Sequence, residues 1–151
     1  MTLDRTDKAA LARLMEEGRV SWADLARVLR LSPAAAAQRV RRLEKAGVIR
    51  GYAALVDPEA LGRPLTAFVG VVLAGHGARR RFLARVRAAG AVQECHHVTG
   101  EFDYLLKVRC AGTKDLERLI NDTFKDDAGV ASSRTVIVLS TTKETHRLPV
   151  P

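Results

Sequence analysis

With 151 residues, the chain has room for one medium domain or two small ones. At 47% hydrophobic and 28% charged, it can bury a core and is no disordered polymer, and no apolar run nears the ~20 residues of a membrane span. A formal net charge of +8 favours a polyanionic partner, nucleic acid ahead of a membrane surface. The first seven residues lack the apolar centre of a signal peptide. The two cysteines, Cys95 and Cys110, lack CxxC spacing, so a cytoplasmic chain with free thiols is expected. No P-loop, dinucleotide fingerprint or catalytic triad is present, and no cofactor is implied.

Asp4 can cap a helix whose apolar positions are Leu11, Leu14 and Met15, ending at Glu17-Gly18. Ser21-Trp22-Ala23-Asp24 has the form of a capping box with Asp in the acidic place. It opens a second helix, Trp22 to Leu29, burying Leu25, Ala26 and Leu29. Trp22 is expected to pack at the edge of this unit. After a turn at Arg30-Leu31, Ser32 is an N-cap and Pro33 suits the first helical position. Ala36, Val40 and Leu43 form an apolar stripe, and Gly47 is a left-handed stop. From Arg30 to Arg50 the basic residues Arg30, Arg39, Arg41, Arg42, Lys45 and Arg50 face a single acid, Glu44. Two helices joined by a short turn, the second one basic, make a helix-turn-helix, here winged-helix-like, whose second helix suits a DNA major groove.

Val48–Val56 reads as a connecting hinge strand. The stretch from Asp57 to Pro64 holds two prolines and a glycine and marks the domain boundary, giving a DNA-binding domain over 1–62 and a second domain over 63–151. Net charge is +3 up to Gly62 and +5 beyond it, so the basic character is not confined to the first part. Beyond the boundary come a strand at Leu65–Ala74, a turn at Gly75-His76-Gly77, and a helix at Ala78–Ala89 bearing Arg79, Arg80, Arg81, Arg85 and Arg87. A hairpin of Val92–Thr99 and Phe102–Cys110 follows, then a helix at Thr113–Lys125 and a strand at Ala131–Thr141. The order β-α-β-β-α-β predicts a ferredoxin-like domain and an α+β chain overall. Helices cover one face of such a sheet, yet Leu65–Ala74 and Thr135–Leu139 are apolar on both faces, so the open face is expected to pack on a second copy. Cys95, His96 and His97 do not read as a zinc site, because adjacent strand residues point to opposite faces. The arginine-rich helix reads first as a solvated face.

The stretches LDRTDKAALARLMEEGRVSWADLARVLRLSP, RVRRLEKAGVIRGYAALVDPEALG, ECHHVTGEFDYLLKVR and GVASSRTVIVLSTTK together resemble the leucine-responsive/asparagine-regulator (Lrp/AsnC, feast/famine) transcription regulators over nearly the whole chain. The resemblance implies double-stranded DNA and an amino acid or related metabolite as partners, and dimers that assemble into octamers. It makes Ser32 to Lys45 the recognition helix, with Ser32, Ala34, Ala35, Gln38, Arg39, Arg41, Arg42 and Lys45 at the DNA. One of Arg39, Arg41 and Arg42 is expected to pack its stem on the protein instead. Relatives often carry Ser or Thr after the Ser-Pro, where this chain has Ala34–Ala37. Limited base readout is therefore expected, with weight on phosphates and bendable A·T-rich DNA. The resemblance also makes Thr99, Gly100, Glu101, Phe102, Asp103 and Tyr104 an effector loop facing the last strand, from which Arg134, Thr135 and Val136 are candidates. Alternation does not decide which face of that strand meets the loop. A hairpin turn with Asp103 capping its own backbone is the structural alternative. Two rivals share the plan: a nucleoid-like architectural DNA-binding protein and an enzyme like the sirohaem decarboxylases, in which His96, His97 and the arginines would hold a tetrapyrrole.

Overall fold

The computed structural model describes residues 2–75, 77–125 and 129–150. They divide into two compact units, 1–55 with 143–151, and 56–142.

The first unit contains α1 (Arg5–Glu16), α2 (Trp22–Leu29) and α3 (Pro33–Lys45). Each helix starts at a side-chain cap. Asp4 and Asp7 form a reciprocal capping box, while Ser21 accepts from the Asp24 N–H and Ser32 from the Ala35 N–H. The expected box at Ser21 is only half made. The Asp24 carboxylate accepts from the Ser21 hydroxyl at 2.6 Å, where a box would need the Ser21 backbone N–H. Small residues let the helices close up, and Ala10, Leu25, Ala26, Leu29, Ala36 and Val40 form the core. The turn before α3 is tight because Arg30 adopts φ 56, and the Leu31 N–H then reaches back to the Ala26 carbonyl. Trp22 is 45% exposed, which corrects the expectation that it packs. It sits at the first position of α2.

Gly47, at φ +71, ends α3 as expected. The hinge strand expected at Val48–Val56 is not formed. Strand propensity needs a partner backbone to become a ladder, and this stretch finds none among the described residues. The Val48 and Ile49 N–H groups instead fold back onto the Leu43 carbonyl. Ile49 packs on the helical core, and the Tyr52 hydroxyl donates to Glu44 at 2.9 Å. Burial and that bond push the Tyr52 hydroxyl pKa up to about 12. Residues 143–151 also group with this unit, and the Leu148 N–H donates to the Met15 sulfur at 3.4 Å.

The second unit is a four-stranded antiparallel sheet, order β2-β3-β1-β4, built from β1 (Leu65–Leu73), β2 (Val92–His97), β3 (Tyr104–Cys110) and β4 (Val130–Ile137), with α4 (Ala78–Ala88) and α5 (Thr113–Ile120). This is the expected βαββαβ order. Of the turn expected at Gly75-His76-Gly77, His76 lies outside the described residues, and Gly75 takes φ +145. Alternation sends Ala67, Val69, Val71, Leu106, Val108 and Cys110 into one core with Phe82, Val86, Leu116 and Phe124. The helix expected to run to Lys125 turns into a π segment at Asn121–Lys125. The wider turn brings Phe124, fully buried, to 6.0 Å from the Phe82 ring. The last strand ends at Ile137, short of the expected Thr141. Its last hydrogen bond to β1 runs from the Val138 N–H to the Thr66 carbonyl at 2.9 Å, and Leu139 is 97% exposed.

Candidate nucleic-acid interface and ligand loop

On α3, Ala36, Val40 and Leu43 face inward, fully buried. Ala34, Gln38, Arg41 and Lys45, at i, i+4, i+7 and i+11, form the opposite stripe, and all four are exposed. Among the described residues, Gln38, Arg41 and Lys45 have no ion pair or side-chain hydrogen bond. Ala35 is half exposed beside this stripe. Ser32 lies at its N-terminal end with its oxygen already accepting from the Ala35 N–H at 3.2 Å.

Arg39 and Arg42 differ from their neighbours. The carboxylate of Asp7 on α1 is fully buried. It accepts from Arg39 Nη1 at 2.7 Å, from Arg42 Nη2 at 2.8 and 2.9 Å, and from the Asp4 N–H at 3.1 Å. Arg39 Nη1 also donates to Asp4 at 2.6 Å. Burial alone would raise the Asp7 pKa, but the bonds from Arg39, the Asp4 backbone and Arg42 outweigh it and hold the carboxyl below its usual range. Arg39 is thereby the arginine spent on the protein, its side chain 22% exposed. Arg42 is tied by one nitrogen and keeps a side chain 54% exposed, with N–H groups to spare. A carboxylate one turn into a helix gives no hint that a later helix will bring two guanidiniums to it.

In the second unit, Val98 to Asp103 connect β2 to β3. Gly100 adopts φ +113, a conformation that disfavours any side chain. Asp103 fastens this loop to the end of β1: its N–H donates to the Val71 carbonyl at 2.9 Å and its Oδ2 accepts from the Leu73 N–H at 2.7 Å. The carboxylate therefore caps the neighbouring strand β1 and not its own turn, as the structural alternative had it, and the bond uses one carboxylate oxygen. Register decides the faces of β4. Arg134 stands opposite Gly70 and Val136 opposite Phe68, on the face away from the helices, while Thr135 stands opposite the buried Val69. The Phe102 ring lies on Gly70, where a Cβ would come within 2.6 Å of it. The Arg134 guanidinium is 6.0 Å from the ring centroid and donates to Glu101 at 3.2 Å. Glu101, Phe102, Arg134 and Val136 thus gather on the open face. Tyr104 and Thr135 go to the other side. Tyr104 is 4% exposed, its ring 5.0 Å from Phe82 and 5.1 Å from His97, and its hydroxyl lacks a partner among the described residues. Thr135 lines an open cleft of about 360 Å³ with Ile137, Thr113, Leu116, Glu117 and Ile120.

His96 bonds Glu94 at 3.1 Å on the open face, whereas His97 stacks on Tyr104 on the helical one. The two imidazoles do not address one ligand. Among the described residues, no three His, Cys, Asp or Glu side chains cluster as a metal site, and no helix is long and apolar enough to cross a membrane. Cys95 and Cys110 are free thiols whose pKa values burial raises.

Comparison with known proteins places these features in company. A family model described as winged helix-turn-helix DNA-binding matches residues 3–50, and one described as the Lrp/AsnC ligand binding domain matches 66–148. The leucine-responsive regulatory protein of Salmonella typhimurium is 39% identical over 151 residues, 98% of this chain and 92% of that protein. A transcriptional regulator of Neisseria meningitidis in complex with L-methionine superposes with a TM-score of 0.94 at 37% identity, covering 98% of this chain and 97% of that one. A feast or famine regulatory protein of Mycobacterium tuberculosis complexed with L-methionine gives 0.91 at 35% identity, over 99% and 100% of the two chains.

Proposed function

The chain belongs to the Lrp/AsnC family of transcription regulators, and from that premise we propose that it reads duplex DNA with α3 and answers to a free amino acid at the loop from Thr99 to Tyr104. The observation that carries the DNA reading is the exposed stripe of Gln38, Arg41 and Lys45, unpartnered among the described residues, with Arg42 braced beside it on Asp7. Gln38 suits the N6 and N7 edge of adenine, and the cations suit guanine or phosphate. Ser32, Ala34 and Ala35 come closest to the DNA at the helix start. The alanines have nothing to donate, so phosphate contacts and DNA deformability supply much of the selectivity. The same alanines favour a second reading, an architectural protein with a specific-to-nonspecific affinity ratio near one.

For the effector, two relatives were solved with L-methionine, and the loop offers what an amino acid needs. Arg134 can take its carboxylate in exchange for Glu101. Glu101 or the second oxygen of Asp103 can take its ammonium, and Phe102 and Val136 its side chain. Thr99, Gly100 and Tyr104 shape and support the loop, and Thr135 belongs to the cleft on the helical face. Phe68 and Val136, 37% and 58% exposed on the open sheet face, and Leu55 at 80%, are surfaces for a second copy to cover. The working unit is a dimer that builds octamers, with no catalytic role, acting in the cytoplasm where its thiols stay reduced. The test pairs a thermal-shift panel of amino acids with a DNA mobility shift. A ligand at about 100 times its Kd adds ~2.7 kcal/mol of stability, and Arg134→Ala abolishes that gain while leaving the mobility shift. A flat panel would refute the amino-acid effector, and an unshifted duplex would refute the DNA reading.

A further inference from the structure

We propose that α4, on the sensor unit, is a second DNA-contact surface, gripping duplex beyond the segment held by the recognition helix. The sequence of α4 is ARRRFLARVRA, with five arginines and no acid. Charges on α1, α2 and α5 are mixed, and only α3, the DNA-reading helix, otherwise shows a marked basic excess. The burial pattern divides the arginines. Ala78, Phe82 and Val86 are buried against the sheet core. Arg80 and Arg87, two turns apart, point away from that face, with Arg79 on its flank, and all three are exposed. Arg85 donates to the Asp122 carbonyl at 2.9 Å, and Arg81 is also engaged. Among the described residues, Arg79, Arg80 and Arg87 have no acidic partner.

Arg85 serves the fold through the Asp122 carbonyl, but the crowding of the first turn does not. Three arginines crowd the first turn, where the helix dipole favours negative charge, and Arg81 and Arg85 repel at i, i+4. A helix selected only to be wet would intersperse acids, as α1 and α5 do. Long cations set about 10 Å apart along one helix face match a partner with one negative charge per ~1.7 Å of axis. The chain already binds such a partner through its other unit. Arginine, with its planar fork of donors, is the cation suited to phosphate.

The test uses the full chain and its Arg79→Gln/Arg80→Gln/Arg87→Gln variant, titrated by fluorescence anisotropy with random-sequence duplexes of about 20 and 120 base pairs across a potassium chloride series. On the long duplex the variant's slope of log affinity against log salt shrinks by up to about 2.7, roughly 0.9 for each lost phosphate contact. Arg41→Gln weakens both duplexes. An unchanged slope on the long duplex overturns the proposal, with wild-type binding left intact. A triple variant whose DNA-free assembly state differs from wild type in sedimentation also overturns it, because the arginines would then serve a subunit contact. A wild-type chain that binds neither duplex overturns the DNA reading along with it. All three positions are exposed, and the variant's melting temperature is expected to equal or exceed the wild type's.

Discussion

Asp7 is the residue on which α3 is braced. One buried carboxylate accepts from two guanidiniums and a backbone N–H, and each bond favours its charged form. Asp7→Ala leaves the Arg42 guanidinium and the Asp4 N–H without that acceptor and Arg39 with Asp4 alone, and is expected to cost about 1–3 kcal/mol, read by chemical denaturation. DNA affinity should fall further than stability explains, because Arg42 loses its orientation. The folded pKa of Asp7 is depressed, so the stabilisation is present above the usual carboxylate pKa of about 4 and is lost as pH falls through the lower folded value. Acid titration of wild type and Asp7→Asn should show the variant's stability to be the flatter below about pH 4. Equal slopes would remove Asp7 from the account. Tyr104 is the opposite case, a buried hydroxyl without a partner among the described residues. Tyr104→Phe removes an unsatisfied group, and stability should hold or rise by up to about 1 kcal/mol. A clear loss would mean that the hydroxyl is satisfied.

The elements differ in how much local chemistry determines them. The helical ends were legible because Asp4, Ser21, Ser32, Pro33 and Gly47 act within one turn of themselves. The order of the second unit was legible from periodicity. What escaped depends on distant partners. The hinge at Val48–Val56 has strand-forming residues but no ladder. The π segment exists because Phe124 has to reach Phe82. Arg39 and Arg41 are indistinguishable in sequence and are separated only by where α1 sets its carboxylates. At the candidate ligand loop, Gly100 was readable as turn chemistry, but the Asp103 bond to β1 and the opposite faces of Arg134 and Thr135 depend on strand neighbours far away in the chain. Gly100→Ala, at φ +113, should cost roughly 1–2 kcal/mol. It should also abolish amino-acid stabilisation in the thermal-shift panel, and a variant that keeps its full ligand response would clear the loop of the role.

At the scale of the molecule, each unit has its own core, and each leaves apolar surface that one chain does not cover. Phe68→Asp and Val136→Asp place charge on the open sheet face and should convert the protein to monomers in sedimentation. DNA binding at low protein concentration should fall with it, since linked weak sites lose their mutual reinforcement. Unchanged sedimentation would mean that this face is not the contact between copies.

The grouping of residues 143–151 with the helical unit makes the covalent path a round trip: the chain leaves that unit near Leu55 and comes home after Thr142. Two strands of polypeptide therefore tether the halves. A protease that nicks the exposed stretch from Asp57 to Pro64 should leave the pieces travelling together under native conditions. The same nick in a chain ending at Thr142 should set them free.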